Sequence, residues 1–184
     1  MPADAVTMRT KPKPEAGPAQ RGSAISFPAL VGKLPAHGDF VSRGVTHAAR
    51  DLIDHWLSDW MTAARSALGE AFEERYGEAG PWLFEGPTVR LLALPSIDKA
   101  GRLFPLLALY DARWKHQRVY DSLVTGIAEG STCDALHGEL AEQAGDEEGE
   151  GATQPAWFQP EGSAEGLPCP GELASWHDVE RMLA

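Results

Sequence analysis

The amino-acid sequence predicts a single layered domain of the α/β or α+β class. Three observations carry this prediction: a length of 184 residues, a composition with 43% apolar and 23% charged residues, and strand-like apolar runs interleaved with helical segments. A chain of this size buries roughly two-thirds of its unfolded surface, which is enough for a real core. No run approaches the roughly 18 apolar residues of a membrane span, so direct membrane insertion is not expected.

The first half of the chain predicts one strand followed by helices. Apolar residues alternate over residues 25–31 and indicate a strand, and Pro28 within it favours a place at the edge of the sheet. Thr46 is a suitable N-cap for a helix over residues 47–68, because apolar residues there recur at spacings of three and four. Gly69 interrupts this pattern, and a short second helix is expected over residues 70–76.

The second half predicts more strands and then more helices. The run at residues 89–94 is almost continuously apolar, as expected for a strand buried on both faces. The remaining predicted strands lie within residues 82–85, 103–110 and 155–159. The remaining predicted helices lie within residues 116–129, 132–143 and 175–183, with Ser131 or Thr132 and then Ser175 as caps.

Composition divides the chain into a tail, a body and an acidic linker. Residues 1–24 contain four prolines and few apolar side chains, so we expect a disordered tail ahead of a single domain over residues 25–184. Residues 144–153 are acidic and glycine-rich, which predicts a mobile linker. The net charge of −11 argues against nucleic acid as a partner, although residues 139–184 alone hold eleven acidic residues and one basic residue.

The motifs of the common enzyme classes are missing. The sequence has no phosphate-binding P-loop, no dinucleotide fingerprint, no nucleophile elbow and no His-Glu-x-x-His pair. Two cysteines make no disulfide framework and fit a reducing cytoplasm. We therefore predict no catalytic residues, no metal and no cofactor. Two weak metal-ligand pairs stay open, His37 with Asp39 and Cys133 with His137.

Two polar loops beside apolar strands are the candidate functional site. Such loops at strand ends are where sites gather in layered α/β folds. Lys33 and Arg102 are expected to pair with Asp39 and Asp98 and so to lock the loops together, unless Asp98 simply builds a turn. The loops then form either a recognition surface or a cleft in which a side chain moves a proton. The six candidates are Lys33, His37, Asp39, Ser96, Asp98 and Arg102.

The two loops resemble the signatures of a known family. Residues 32–41 read GKLPAHGDFV and resemble the GKLPxxGDF signature of the TagF family, also called ImpM. Residues 95–106 read PSIDKAGRLFPL and resemble its PSxDxxGRxFPL signature. The aromatic helix between the signatures is similar too, and the resemblance extends over roughly residues 27–183.

This resemblance implies a fold and a role. The implied fold is a three-layer α/β sandwich, for which we expect one mixed central sheet with helices on both faces. The implied role is that of an accessory regulator of a bacterial type VI secretion system, a post-translational repressor in the cytoplasm. Its implied partner is the forkhead-associated scaffold protein of the system, and no signature residue is carried over as catalytic. The alternative is a domain that binds or turns over a small anionic ligand between the two loops.

Overall fold

A six-stranded sheet forms the centre of the molecule. The computed structural model describes residues 23–144, 147, 149–159 and 167–172. The strand order across the sheet is β2-β1-β5-β4-β3-β6. In chain order the strands are β1 (Ile25–Gly32), β2 (Val41–Val45), β3 (Trp82–Glu85), β4 (Val89–Leu94), β5 (Leu106–Asp111) and β6 (Ala156–Phe158).

Helices cover both faces of this sheet. They are α1 (His47–Leu68), α2 (Phe72–Glu78), α3 (His116–Glu129) and α4 (Cys133–Glu142). Helices α1 and α2 pack with one core cluster, and α3 and α4 pack with the other. The predicted sandwich with helices on both faces is confirmed. None of the described helices is long and apolar enough to cross a membrane.

The sheet is antiparallel in every described pairing, so the expectation of a mixed sheet was wrong. The reason lies in the connections. The chain joins β1 to β2, β3 to β4 and β4 to β5 as sequence neighbours that pair directly. The helical connections run from β2 to β3 and from β5 to β6, and neither joins two strands that lie side by side. Parallel pairing arises mostly from such side-by-side crossovers.

Strand β1 lies inside the sheet, which corrects the prediction of an edge strand. It pairs with β2 on one side and β5 on the other. The pairing with β2 is irregular between Ile25 and Leu30, and Pro28 lies in that irregular stretch. Proline has no N–H to donate, so an interior strand accommodates it where the ladder is already interrupted.

Successive side chains of β1 alternate between two core clusters, one on each face of the sheet. Ala29 and Val31 of β1 belong to the cluster under α1, with Trp56 and Trp60, while Leu30 belongs to the cluster under α3 and α4. Each of these side chains is almost fully buried. The period-two alternation that defined the strand therefore feeds two separate cores.

Helix α1 matches its prediction residue for residue. The Thr46 side chain accepts a hydrogen bond from the Ala49 N–H, which is the geometry of an N-cap. At the other end, Gly69 has a φ of 54° and begins a short 3-10 turn before α2. The predicted strand at residues 155–159 is confirmed as β6.

The remaining predictions divide into a miss and several that stay open. Strand β2 follows the first polar loop and was not predicted. The predicted tail at residues 1–24 lies outside the described residues except for its last two, and the predicted helix at residues 175–183 lies outside them altogether. Within the acidic stretch, the Glu147 carboxylate lies 2.9 Å from the Arg113 guanidinium. The mobile linker remains a prediction.

Candidate functional site

Both signature loops leave the sheet at the same end. Gly32, the last residue of β1, pairs with Leu106, the first residue of β5. Leu94, the last residue of β4, pairs with the same Leu106. The loops over residues 33–40 and 95–105 therefore begin on either side of Leu106, although more than fifty residues separate them in sequence.

The glycine of the first signature is required by close packing of backbone. Gly32 has a φ of 139°, and a Cβ there would overlap the carbonyl oxygen of Pro105. The Lys33 N–H donates to the same carbonyl at 3.4 Å. Only glycine combines this conformation with so near an approach of a second chain segment.

Asp98 is the centre of the site. It is 1% exposed, and its Oδ1 accepts hydrogen bonds from the N–H groups of Ala100 and Arg102, both at 2.9 Å. Its Oδ2 accepts from the Arg102 Nε at 2.6 Å and lies 3.1 Å from the Lys33 Nζ. Four donors thus satisfy one buried carboxylate, as a buried charge requires.

These contacts decide the charge state of Asp98. Burial alone raises its pKa, because removal from water penalises the charged form. The Arg102 N–H, the Lys33 ammonium, the Arg102 guanidinium and the Ala100 N–H act in the opposite direction and prevail. They hold the pKa of Asp98 well below its usual range, so the carboxylate is charged at neutral pH.

Arg102 and Lys33 connect the Asp98 carboxylate to the first loop. The Arg102 Nη2 donates to the carbonyl oxygen of Gly38 at 2.6 Å. The Lys33 ammonium also lies 5.7 Å from the centre of the Phe104 ring, within the range of a cation–π contact. The predicted locking of the loops is therefore present, but both cations converge on Asp98 and neither pairs with Asp39.

His37 connects the first loop to two other elements. Its carbonyl accepts the Lys99 N–H at 2.8 Å, which adds a backbone bond between the loops. Its Nε2 accepts the Cys133 N–H at 2.9 Å. Cys133 is the first residue of α4, so the imidazole satisfies one of the N–H groups that a helix start leaves unpaired. In this arrangement Nε2 serves as the acceptor of the bond.

Asp39 and Ser96 do not join the cluster as side chains. Asp39 is exposed, and none of the ion pairs among the described residues includes it. Ser96 is 4% exposed, and its hydroxyl lies 3.5 Å from the Ile97 carbonyl oxygen. The described hydrogen bonds place no histidine on this hydroxyl.

Tyr76 belongs to the site but was missed by sequence reasoning. Its hydroxyl accepts the Ser96 N–H and donates to the Ser96 carbonyl, both at 3.0 Å. Burial raises the pKa of Tyr76, which keeps the phenol protonated. The only signal available was its place on a short predicted helix, and that signal says nothing about a contact with a loop twenty residues on.

The polar contacts of the site hold the two loops in a fixed arrangement. The buried charge of Asp98 is satisfied within the protein, and the His37 ring and the Tyr76 hydroxyl each serve a backbone group. Among the described residues no three His, Cys, Asp or Glu side chains are grouped closely enough for a metal ion. Burial raises the pKa of the Cys133 thiol, which disfavours the reactive thiolate. The site therefore presents a firm surface made of two interlocked loops.

Comparison with known proteins identifies the family. The model of the TagF N-terminal domain, described as type VI secretion system-associated, matches residues 29–147. The chain belongs to the TagF family. The match covers both signature loops and the elements between them, so this TagF chain is a type VI secretion system-associated protein.

Solved structures support the fold of this TagF chain. The crystal structure of PA0076 from Pseudomonas aeruginosa PAO1 superposes with a TM-score of 0.55 at 23% sequence identity. The superposition covers 84% of this chain and 76% of that one. No curated protein matches the chain. At this identity the likeness to PA0076 concerns the fold alone.

Proposed function

We propose that this TagF chain regulates its type VI secretion system by binding another protein, and that it carries out no turnover. Membership of a family described as type VI secretion system-associated is the observation that carries the proposal. The finer role is repression after translation, and the expected partner is the cytoplasmic forkhead-associated scaffold protein of the system.

The geometry of the loops supports binding rather than chemistry. A binding surface gains affinity when its loops are ordered before the partner arrives, because less conformational entropy is lost on association. Asp98, Arg102 and Lys33 provide that order here. A small-ligand or enzymatic site would need polar groups that are free to serve a ligand, and these side chains are already engaged.

Gene deletion tests the regulatory role directly. Secretion of the tube protein is measured in the native host with and without the gene, under permissive and restrictive conditions. We expect increased secretion under restrictive conditions in the deletion strain. Secretion that is unchanged under both conditions would refute the proposed repression.

A pull-down tests the partner. The forkhead-associated scaffold is captured with the wild-type chain and with Asp98→Ala and Arg102→Ala, each checked for folding by circular dichroism. We expect retention by the wild type and reduced retention by both variants. A thermal-shift screen with nucleotides and phosphorylated ligands covers the alternative, because a specific shift there would favour a small-ligand site.

A further inference from the structure

A buried hydrogen bond joins the start of α3 to strand β5 inside the sheet. The Tyr110 hydroxyl lies 2.6 Å from Nδ1 of His116, which is the first residue of α3. Tyr110 is 1% exposed, and its ring and the imidazole are nearly parallel, with an angle of 16° between the two planes. Neither residue belongs to the signature loops, so the pair is separate from the candidate functional site.

Aromatic packing fixes the position of the His116 ring. The Tyr110 ring stacks on Trp114 with 6.5 Å between ring centroids, and the imidazole packs against Tyr120, one turn further along α3, at 6.3 Å. Tyr110 and Trp114 are both almost fully buried in the core cluster under α3 and α4. Close packing of this kind leaves little room for another ring orientation, so Nδ1 stays opposite the hydroxyl. The two tyrosines are the titratable groups that contact the ring among the described residues.

The hydroxyl of Tyr110 is the donor of this bond. A tyrosine hydroxyl donates and accepts, whereas Nδ1 of a neutral imidazole does one or the other. Burial raises the pKa of Tyr110, so the hydroxyl keeps its proton. Within the described part of the chain, Nδ1 of His116 is the one hydrogen-bond partner of this hydroxyl. A proton on Nδ1 would leave the buried hydroxyl hydrogen without an acceptor, so the neutral ring carries its proton on Nε2.

The surroundings of the imidazole oppose a second proton. Burial and the positive charge of Arg90 on β4 lower the pKa of His116. Glu85 on β3 pairs with Arg90 at 2.9 Å, and Asp121 lies on α3 itself. These two carboxylates raise the pKa of His116 but do not outweigh the burial and Arg90. The N-terminal end of a helix also disfavours a cation, and His116 lies in that first turn.

We propose that Tyr110 and His116 form a pH-sensitive switch, in which protonation of His116 releases the first turn of α3 from β5. The neutral ring accepts the hydroxyl proton and keeps the turn attached. The protonated ring donates from both nitrogens, so a donor then faces the donor hydroxyl in a buried position. The N-cap residue of α3 makes no side-chain capping bond, so no cap replaces the lost attachment.

The switch responds in the weakly acidic range. The ordinary pKa of histidine is about 6.5, and the pKa of His116 in the attached turn lies below it. The released turn therefore binds the proton more readily than the attached turn does. Release is disfavoured above about pH 7 and increases as the pH falls below about 6.5, because proton binding then favours the released state.

Helix α4 connects the switch to the first signature loop. Helices α3 and α4 pack against each other, and the Gln143 amide at the end of α4 donates to the Ser122 hydroxyl of α3 at 2.8 Å. The first N–H of α4 is bonded in turn to the His37 ring of that loop. Acid therefore acts on the helix pair to which the first signature loop is attached.

Hydrogen exchange of the full chain tests the release. The Val119 N–H bonds the Lys115 carbonyl in the first turn of α3, so its exchange reports opening of that turn. It is measured at about pH 7.5 and about pH 5.5, corrected for intrinsic exchange, in the wild type and in His116→Asn. Asparagine does not titrate, and its amide oxygen accepts a hydroxyl proton at both pH values. Acidification should increase opening about threefold more, or beyond, in the wild type than in this variant.

An exposed histidine provides the matched control. The His55 side chain on α1 is 73% exposed, so His55→Asn should keep the full acid response of the wild type. An equal increase in the wild type and His116→Asn would overturn the proposal, because the response would then belong to another group. Loss of the response in His55→Asn as well would likewise overturn its assignment to His116.

Nuclear magnetic resonance of the histidine rings tests the hydrogen bond itself. The nitrogen chemical shifts of wild-type His116 should show an unprotonated Nδ1 at about pH 7.5. Tyr110→Phe keeps the stacked ring but removes the donor that stabilises the neutral imidazole, so the titration midpoint of His116 should rise. A proton on Nδ1 of the neutral ring, or a midpoint that does not rise, would overturn the switch. If circular dichroism shows that Tyr110→Phe fails to fold, the wild-type shifts and His116→Asn decide the question.

Discussion

The Lys33 ammonium lies 3.1 Å from the carboxylate of Asp98, and this pair joins the two signature loops across the end of the sheet. The Asp98 side chain is fully buried, whereas 16% of the Lys33 side chain is exposed. Surface ion pairs contribute little to stability, but removal of one partner from a buried pair leaves an uncompensated charge. Asp98 is therefore the position at which a substitution should disrupt the site most.

Substitution of Asp98 should unlock both loops. Asp98→Asn removes the negative charge that Lys33 and Arg102 share, and we expect the melting temperature to fall by about 4 °C or more. Asp39→Asn is the matched control, because Asp39 is exposed in the same site and should melt like the wild type. Circular dichroism melts measure both. Equal melting temperatures of Asp98→Asn and the wild type would contradict the central place given to this carboxylate.

The same carboxylate gives a defined pH dependence. Hydrogen bonds and cations hold the folded pKa of Asp98 below its unfolded value, which is about 3.9. Between these two values the unfolded chain binds a proton that the folded chain does not, so its stabilisation is full above the unfolded pKa and declines as the pH falls. Urea unfolding of the wild type and Asp98→Asn at several pH values measures this.

The difference in unfolding free energy between the wild type and Asp98→Asn reports the titration of Asp98 apart from that of other acidic residues. Asp111 and Asp134 also have lowered pKa values, through hydrogen bonds from Arg113 and Arg43, but they titrate in both proteins. The stability advantage of the wild type should be constant near neutral pH and shrink below about pH 4. An advantage that grows toward acid would mean that the sign of the shift is wrong.

The sequence predicted the helices better than the arrangement of the sheet. The ends of helix α1 could be predicted because its cap, its apolar spacing and its terminal glycine are all local signals. Strand β2 and the interior place of β1 depend on pairing between distant segments, which no local pattern reports. Pro28 misled the assignment because a bulge is as good a place for proline as an edge.

In the site, too, local patterns were predictive and contacts between distant segments were not. The prediction that cations lock the loops came from residue types beside strand ends, and it is confirmed at Asp98. The choice of Asp39 as a second partner was wrong, because nothing in the sequence distinguishes the buried aspartate from the exposed one. The contacts of Tyr76 and of the His37 ring with distant backbone depend on how α2 and α4 pack, which tertiary structure alone determines.

Backbone crowding at Gly32 should make this position intolerant of any side chain. Gly32→Ala places a Cβ against the Pro105 carbonyl in a conformation with positive φ, and we expect a loss of about 2 kcal/mol or more in the free energy of unfolding. Gly38→Ala is the control from the same loop, since a Cβ there meets nothing within 4 Å. Urea unfolding compares the two. Similar stabilities of the two variants would show that β1 and the Pro105 segment separate easily.

Removal of the Tyr76 hydroxyl should loosen the second loop. Tyr76→Phe leaves the buried Ser96 N–H without its partner, which costs about 1–3 kcal/mol of unfolding free energy. Tyr120→Phe is the control, because the Tyr120 hydroxyl has no hydrogen bond among those of the described residues. Chemical denaturation measures both. An unchanged Tyr76→Phe would mean that water replaces the hydroxyl at no cost.

Substitution of His37 distinguishes a structural role of its ring from a catalytic one. Its Nε2 accepts the Cys133 N–H, so His37→Ala should expose the first turn of α4 to faster amide exchange and lower stability by about 1 kcal/mol. Thr132 still caps the Ala135 N–H, which limits the loss to the first turn. His55→Ala is the control, because the His55 side chain is 73% exposed. Hydrogen exchange read residue by residue distinguishes the cases: if Cys133 exchanges equally fast in both variants, the ring does not cap α4 and is free for other chemistry.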